Sequence, residues 1–166
     1  MHMTTSTLPQ TTADQVLAIR HDTAEDLLSR VLATDVPVLV DADGLTVLAR
    51  RRDLLADRSA PTLLTPHAGE FARLAGHEVG SDRVAAVVDL ATDLGVTVLL
   101  KGRITLVADG AGPVIANDAG SSWSATAGAG DVLSGIAGAL LAAGLAPRVA
   151  AAAAARVHAR AALLAA

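Results

Sequence analysis

Apolar runs of four or five residues alternate along this chain with longer segments in which apolar residues recur at helical spacing. The runs are rich in valine, leucine and isoleucine, and they predict strands, most of them buried on both faces of a sheet. Between the last two runs, Asp109-Gly110 is a hairpin turn signal. Strands are expected at residues 36–40, 61–64, 96–100, 104–108 and 113–116.

The longer segments predict helices whose ends carry capping residues. Thr23 and Ser81 each precede a helical pattern, and Thr65 is followed by Pro66, which suits the first turn of a helix. Strands that alternate with helices in this way predict a layered α/β fold with a mostly parallel sheet. Helices are expected at residues 23–32, 45–49, 65–76, 81–95, 130–143 and 147–164.

Composition indicates one globular domain and excludes two classes of partner. The chain has 166 residues, of which 52% are hydrophobic and 18% charged, and this is enough apolar material for one core. A net charge of −4 with a single Trp and a single Phe argues against nucleic-acid binding, which relies on positive charge and aromatic stacking. A helix needs about 20 apolar residues to span a bilayer, and the apolar run at 132–146 is shorter, so no membrane contact is expected.

The chain has no cysteine, which excludes disulfides and thiolate metal sites and fits a cytoplasmic protein. Residues 1–22 have a polar start without the apolar core of a signal peptide and are interpreted as a lead-in. The domain itself is expected at residues 23–166.

A glycine-rich segment at the start of helix 130–143 carries the strongest functional signal. It reads Ala127-Gly128-Ala129-Gly130-Asp131. Small residues let the backbone approach a phosphate, and the first amides and the dipole of the helix attract the anion. A carboxylate at Asp131 would repel phosphate, so it is better explained as the acceptor of a proton from a substrate hydroxyl, or as a metal ligand. A simple helix cap is the structural alternative.

A second signal follows the strand at 96–100. Two cations, a glycine and a hydroxyl stand where α/β folds place ligands, at the end of a strand. The ammonium and the hydroxyl suit phosphate oxygens, although a lysine at a strand end is often only solvated. Because the glycine-rich segment occurs later in the chain, phosphate binding is the favoured interpretation. The residues are Lys101, Gly102, Arg103, Ile104 and Thr105.

His67 stands in the first turn of the predicted helix 65–76. A helix N-terminus favours the neutral imidazole, which can donate or accept one hydrogen bond. Glu70 fits a capping box for the same turn. Because the helix is expected to end before His77, a metal site made of these three side chains is not expected.

Three further polar residues have two interpretations each. Asp41 and Asp43 follow the strand at 36–40, and they either bind metal-associated phosphate or cap the next helix. Asn117, placed just after the hairpin, either hydrogen-bonds a phosphate or shapes the following loop.

Four motifs together resemble one family, the ADP-dependent NAD(P)H-hydrate dehydratases of the ribokinase-like superfamily. They are residues 41–45, 64–71, 101–105 and 127–135, and their order and spacing match the family over residues 23–166. The resemblance implies a three-layer ribokinase-like fold. It also implies the repair of hydrated NADH or NADPH with ADP (or ATP) and Mg²⁺, by phosphorylation of the hydrate hydroxyl followed by elimination of phosphate.

The resemblance also implies roles for individual residues. Asp131 would be the catalytic base at the substrate hydroxyl, and His67 would contact the hydrated nicotinamide nucleotide. No metal site built by the protein itself is implied. The residues assigned to the adenine nucleotide are Lys101, Gly102, Arg103, Ile104, Thr105, Asn117, Gly128 and Gly130.

One departure from the family concerns the amino-terminal part. Family members carry further strands there and a Gly-Pro-Gly-Leu-Gly loop that helps to bind the dinucleotide, whereas residues 15–22 contain no such loop. The chain is therefore expected to form the carboxyl-terminal portion of the fold, without the amino-terminal strands. An exposed sheet edge would follow, and with it self-association into a homo-oligomer.

Two alternatives remain at this point. A related small-molecule kinase of the same superfamily would share the glycine-rich segment, but the motif at residues 65–70 is typical of the dehydratases. A non-catalytic nucleotide-binding or assembly module would keep the fold without turnover, and the missing amino-terminal loop favours it.

Overall fold

The computed structural model describes residues 23–118 and 128–164. The lead-in at 1–22 and Ala127 of the glycine-rich segment lie outside these residues. A single 3-10 turn, Arg52–Leu55, lies between residues 48 and 62 in the described part. In chain order the elements are α1 Ala24–Leu32, β1 Val38–Val40, α2 Asp43–Leu48, β2 Thr62–Leu64, α3 Ala68–Ala75, α4 Arg83–Leu94, β3 Thr97–Leu100, β4 Ile104–Ala108, β5 Ile115–Asp118, α5 Ala129–Ala142 and α6 Pro147–Leu164.

The strands form one sheet in the order β1-β2-β3-β4-β5. The first three strands are parallel, whereas β4 and β5 run antiparallel to their neighbours. The short connection at 101–103 explains the change between β3 and β4, since a short turn can join only antiparallel strands. The predicted turn Asp109-Gly110 lies in the next connection, between the antiparallel strands β4 and β5. The carboxyl ends of β1, β2 and β3 therefore share one edge of the sheet.

Alternate residues of the central strands face opposite sides of the sheet, as strand geometry requires. Leu64, Val98 and Leu100 pack among α1 to α4, whereas Leu63 and Leu99 pack against α5 and α6. Helices thus cover both faces, which confirms the predicted three-layer α/β fold.

The alanine-rich helix α6 packs closely on the sheet because its buried face has only small side chains. Ala150, Ala151 and Ala154 are fully buried there, next to the side chains of α5. Within the described residues, no helix combines the length and the apolar character needed to cross a membrane.

Of the predicted helix caps, that of α1 is confirmed and that of α4 is displaced by one residue. Thr23 caps α1 as predicted, through a reciprocal capping box. The prediction that Ser81 caps the next helix is wrong. Asp82 caps α4, because its carboxylate accepts a hydrogen bond from the Ala85 amide at 2.9 Å.

The start of α3 also differs from the prediction. Thr65 was expected to cap it, with Pro66 and His67 in its first turn. Instead His67 is the cap and the helix begins at Ala68. Thr65 is fully buried, and its hydroxyl faces the carbonyl oxygen of Val40 at 3.4 Å, so it links the ends of β1 and β2.

Two strands are shorter or shifted because of proline. β1 begins at Val38, after Pro37, and β5 begins at Ile115 rather than at Pro113. Proline has no amide hydrogen for a strand ladder. As a result Asn117 lies inside β5, opposite Thr105, and not after the hairpin as predicted.

We expect Leu99→Ala to lower the free energy of unfolding by about 2–5 kcal/mol, the usual loss for a large side chain removed from a core. Leu99 is 0% exposed in the central strand β3. Urea unfolding measures the change. Val157→Ala is the control, because Val157 is 53% exposed on α6 and its truncation is expected to change stability by less than about 0.5 kcal/mol. Equal losses in the two variants would contradict the described core.

Candidate functional site

Lys101 lies at the centre of a polar cluster at the carboxyl edge of the parallel strands. Its Nζ donates a hydrogen bond to Oδ1 of Asp41 at 2.9 Å and lies 3.7 Å from Oε2 of Glu70. Its backbone amide donates to the carbonyl oxygen of Pro66 at 2.7 Å. One ammonium group therefore joins the segments that follow β1, β2 and β3, at the edge where α/β folds bind ligands.

The glycine-rich start of α5 reaches the same edge. Gly128 caps α5 with a φ of 83°, a left-handed conformation that glycine adopts without strain. A methyl group placed on Gly130 would lie 3.8 Å from Nζ of Lys101. Ser134, one turn further along α5, donates to Oδ2 of Asp41 at 2.6 Å. The first turns of α5 are thus held next to Lys101.

Asp131 is the third residue of α5 and is exposed. Its carboxylate makes no hydrogen bond or ion pair with any residue of 23–118 or 128–164. An acid in the first turn is stabilised by the helix dipole. The carboxylate is therefore accessible to a ligand that binds beside Gly130.

The capping role of His67 fixes the state of its imidazole ring. Nδ1 accepts a hydrogen bond from the Gly69 amide at 2.9 Å and lies 3.4 Å from the Glu70 amide. Because Nδ1 is an acceptor, the neutral ring carries its proton on Nε2. The side chain is 56% exposed, so this N–H is accessible to an acceptor from a ligand.

Two neighbours make this position of the ring possible. Glu70 Oε2 accepts from the His67 amide at 2.8 Å and completes the predicted capping box. Gly69 leaves room for the ring, since a methyl group there would lie 3.0 Å from its Cε1. Glu70 Oε2 also lies 3.6 Å from Nε2 of His67, so Glu70 stands between His67 and Lys101.

Asp41 is held as a carboxylate in this cluster. Burial raises its pKa, but the hydrogen bonds from Ser134 and Lys101, together with the charge of Lys101, outweigh burial and hold the pKa below its ordinary value. The group is therefore ionised at neutral pH. Formally, the cluster combines one ammonium with two carboxylates, those of Asp41 and Glu70.

The turn between β3 and β4 contains the other residues of the predicted 101–105 motif. Thr105 is buried, and its hydroxyl donates to the carbonyl oxygen of Gly102 at 3.3 Å, so it shapes this turn. Arg83, from the start of α4, covers Gly102. A methyl group on Gly102 would lie 2.6 Å from its Nη2. Arg83 was not singled out in the sequence, because no local motif marks it and only the fold brings it here.

The remaining predicted nucleotide residues lie around this turn and the hairpin. Arg103 is exposed, and its Nη2 lies 4.0 Å from Oδ2 of Asp118. Ile104 is also exposed. Asn117 donates through Nδ2 to the carbonyl oxygen of Ala155 at 3.2 Å, so its amide nitrogen is engaged in holding β5 to α6.

The structure thus brings Lys101 and Gly130 together directly and links His67 to them through Glu70. Asp41 and Ser134 complete the connection. The sequence left Asp41 between binding metal-associated phosphate and capping a helix, and it gave no role to Ser134. The two residues are 93 positions apart, and no local pattern pairs residues at that separation. Within the described residues, no group of three histidine or carboxylate side chains is arranged to hold a metal ion.

The three-layer fold and a glycine-lined site with Lys101 at its strand edge define a ribokinase-like α/β protein. A solved ribokinase-like superfamily protein from Enterococcus faecalis has this fold, with a TM-score of 0.69 and 27% identity over 82% of this chain and 48% of that one. The family model for NAD(P)H-hydrate dehydratase matches residues 18–166. The chain belongs to that family.

Individual relatives match at higher identity. The bifunctional NAD(P)H-hydrate repair enzyme of Mycobacterium tuberculosis is 67% identical over 82 residues, which are 49% of this chain and 17% of that enzyme. The ADP/ATP-dependent NAD(P)H-hydrate dehydratase of Bacillus subtilis, co-crystallized with ATP/Mg²⁺, has a TM-score of 0.71 and 33% identity. That match covers 95% of this chain and 52% of the Bacillus chain. The chain therefore spans about half of the solved relative, and the matched part is less than a fifth of the curated one.

We expect nitrogen-15 NMR to show neutral His67 with a protonated Nε2 and an unprotonated Nδ1, because two backbone amides converge on Nδ1. The opposite tautomer would contradict the capping geometry. His67→Asn supplies a matched control, since asparagine also caps helices and is expected to keep the stability of the protein. His67→Ala is expected to lose about 1 kcal/mol in the same unfolding measurement.

Proposed function

We propose that this chain catalyses the ADP-dependent dehydration of hydrated NADH or NADPH, with ATP as an alternative phosphoryl donor. The observation that carries the proposal is the meeting of Lys101, the glycine-rich start of α5 and the accessible Asp131 at one edge of the sheet. Membership of the dehydratase family supports it. So does the Bacillus relative, which was co-crystallized with ATP/Mg²⁺.

The phosphates of the nucleotide bind between Lys101 and the first turn of α5 in this proposal. The first amides of a helix lack partners within the helix and attract anions, and the ammonium adds a full charge. Gly128 and Gly130 leave the approach to these amides open, since among the described residues only Nζ of Lys101 lies within 4 Å of a methyl group placed on either. The same proposed site includes Gly102, Arg103, Ile104, Thr105 and Asn117, with Arg83 at its rim.

Mg²⁺ fits this site as a companion of the nucleotide. The two carboxylates of the cluster outnumber its one ammonium, so a bare phosphate would meet a negative surrounding, and a phosphate neutralised by Mg²⁺ would not. Mg²⁺ usually keeps several waters and binds through one or two carboxylates and the substrate phosphates. When bound, it neutralises charge on the transferred phosphoryl group.

Asp131 and His67 have different roles in the proposed reaction. Asp131 accepts the proton of the hydrate hydroxyl while the hydroxyl oxygen forms a bond to the terminal phosphorus, and the nucleotide leaves with one phosphate fewer. The bond between the ring carbon and the new phosphate group then breaks, phosphate leaves, and a proton on the neighbouring ring carbon passes to water, which restores the double bond of the nicotinamide. His67 donates through Nε2–H to an acceptor of the dinucleotide and orients it.

We expect the protein to restore the near-ultraviolet absorbance of NADH when it is mixed with hydrated NADH, ADP and Mg²⁺. Asp131→Asn removes the base and is expected to lower the rate by about 10²–10⁴-fold. Calorimetry is expected to show that the variant still binds ADP. A rate unaffected by Asp131→Asn would overturn the assignment of the base.

A second candidate function is a nucleotide-binding module without turnover. It would bind the phosphates of ADP through Lys101 and the start of α5 without phosphoryl transfer. Binding of ADP by the wild-type chain without any recovery of NADH would support this module and exclude the dehydratase activity.

We also propose that the protein self-associates in the cytoplasm. β1 is an outer strand of the sheet and pairs only with β2 among the described residues, and unpaired edges favour pairing with another chain. The lack of cysteine fits a reducing compartment. Sedimentation velocity at micromolar concentration is expected to show a dimer or a larger species. A stable monomer would contradict the self-association.

A further inference from the structure

The carboxylate of Asp41 connects two parts of the site that are distant in the sequence. Oδ1 accepts from Nζ of Lys101 and from the Ala42 amide, each at 2.9 Å, and Oδ2 accepts from Oγ of Ser134 at 2.6 Å. The side chain is only 15% exposed. One acid thus holds the lysine after β3 with one oxygen and helix α5 with the other.

The stability of the fold does not by itself explain this arrangement. A largely buried charge pair gains little over apolar side chains that fill the same space, because both charges lose their hydration. Apolar side chains do fill the neighbouring core, since Leu45 and Leu48 of the adjacent helix α2 are fully buried. A polar connection that is retained here therefore points to a role in the site.

The backbone next to Asp41 supports the same conclusion. Ala42 has a φ of 49° and a ψ of −120°, a region that residues with a side chain rarely occupy. Such conformations persist where the surrounding structure enforces them, and they cluster at functional sites. The amide of this same residue donates to Oδ1 of Asp41, so the strained position adjoins the connection.

The position of Ser134 determines what the connection controls. Ser134 lies three residues after Asp131 on α5, and residues three apart are neighbours on one side of a helix. Fixing Ser134 therefore fixes the rotation of α5 about its axis, and with it the placement of Gly130 and Asp131. The same carboxylate fixes the ammonium of Lys101.

We propose that Asp41 is a positioning residue that sets the separation between the Lys101 ammonium and the first turn of α5, and so between the bound phosphate and Asp131. This inference rests on the proposed dehydratase function for its catalytic readout. Asp41 also competes with phosphate for Lys101. Loss of Asp41 is therefore expected to lower turnover without weakening nucleotide binding. Loss of a merely structural residue would weaken both.

The test compares Asp41→Asn and Ser134→Ala with the wild type for NADH recovery and for ADP binding by calorimetry. Asp41→Asn is expected to lower kcat at least tenfold while the Kd for ADP, measured without Mg²⁺, stays equal or decreases. Ser134→Ala is expected to lower kcat less, with the Kd unchanged. The kcat of the double variant is expected to be no lower than that of Asp41→Asn alone, because the effects of substitutions at coupled residues are not additive.

Asp89→Asn is the matched control. Asp89 is an exposed carboxylate on α4, and no hydrogen bond joins it to Lys101 or Ser134 in the described residues. It is expected to keep wild-type kcat and Kd. A parallel loss of kcat, ADP affinity and unfolding midpoint in Asp41→Asn would show a structural role only and would overturn the proposal.

Amide hydrogen exchange tests the positioning role of Asp41 independently of the dehydratase activity. If the wild type binds ADP without turnover, the dehydratase activity fails, but the positioning role still predicts faster exchange at residues 132–135 in Asp41→Asn and Ser134→Ala with ADP binding retained. Unchanged exchange in both variants would overturn the positioning role, whether or not the wild type is active.

Discussion

The ion pair between Lys101 and Asp41 joins the parts of this molecule on which its proposed chemistry depends. It ties the segment after β1 to the segment after β3, with Nζ and Oδ1 at 2.9 Å. Through Ser134 the same carboxylate reaches α5, and through Glu70 the lysine lies next to the His67 cap of α3. Parallel strands bring these segments to one edge, and the ion pair determines how they face each other there.

The charges of this cluster also set the conditions for binding a nucleotide. Lys101 is already engaged by Asp41 and lies close to Glu70, so an incoming phosphate must share the ammonium with carboxylates. In the proposed function, neutral donors at the start of α5 and an accompanying Mg²⁺ would compensate for this. An acid at Asp131 is compatible with the proposed phosphate site because it is exposed in the first turn of α5, accessible to a substrate hydroxyl.

Much of the fold was predictable from the sequence, because strands buried on both faces appear as short apolar runs and helices as amphipathic segments. The site was predictable only where its signals are local, as in the glycine-rich segment and Lys101. The capping of α3 was assigned to Thr65, since a histidine cap has a weak local signature and the burial of Thr65 depends on β1. Asp41 and Ser134 could not be paired, because only the packing of α5 on the sheet brings them together.

A crystal structure of the protein with ADP and Mg²⁺ tests the central claim most directly. The account predicts that the terminal phosphate lies within hydrogen-bonding distance of Nζ of Lys101 and of the backbone amides at the start of α5, with the Asp131 carboxylate facing the same space. A nucleotide bound elsewhere on the chain, or one whose phosphates contact neither Lys101 nor the start of α5, would contradict it.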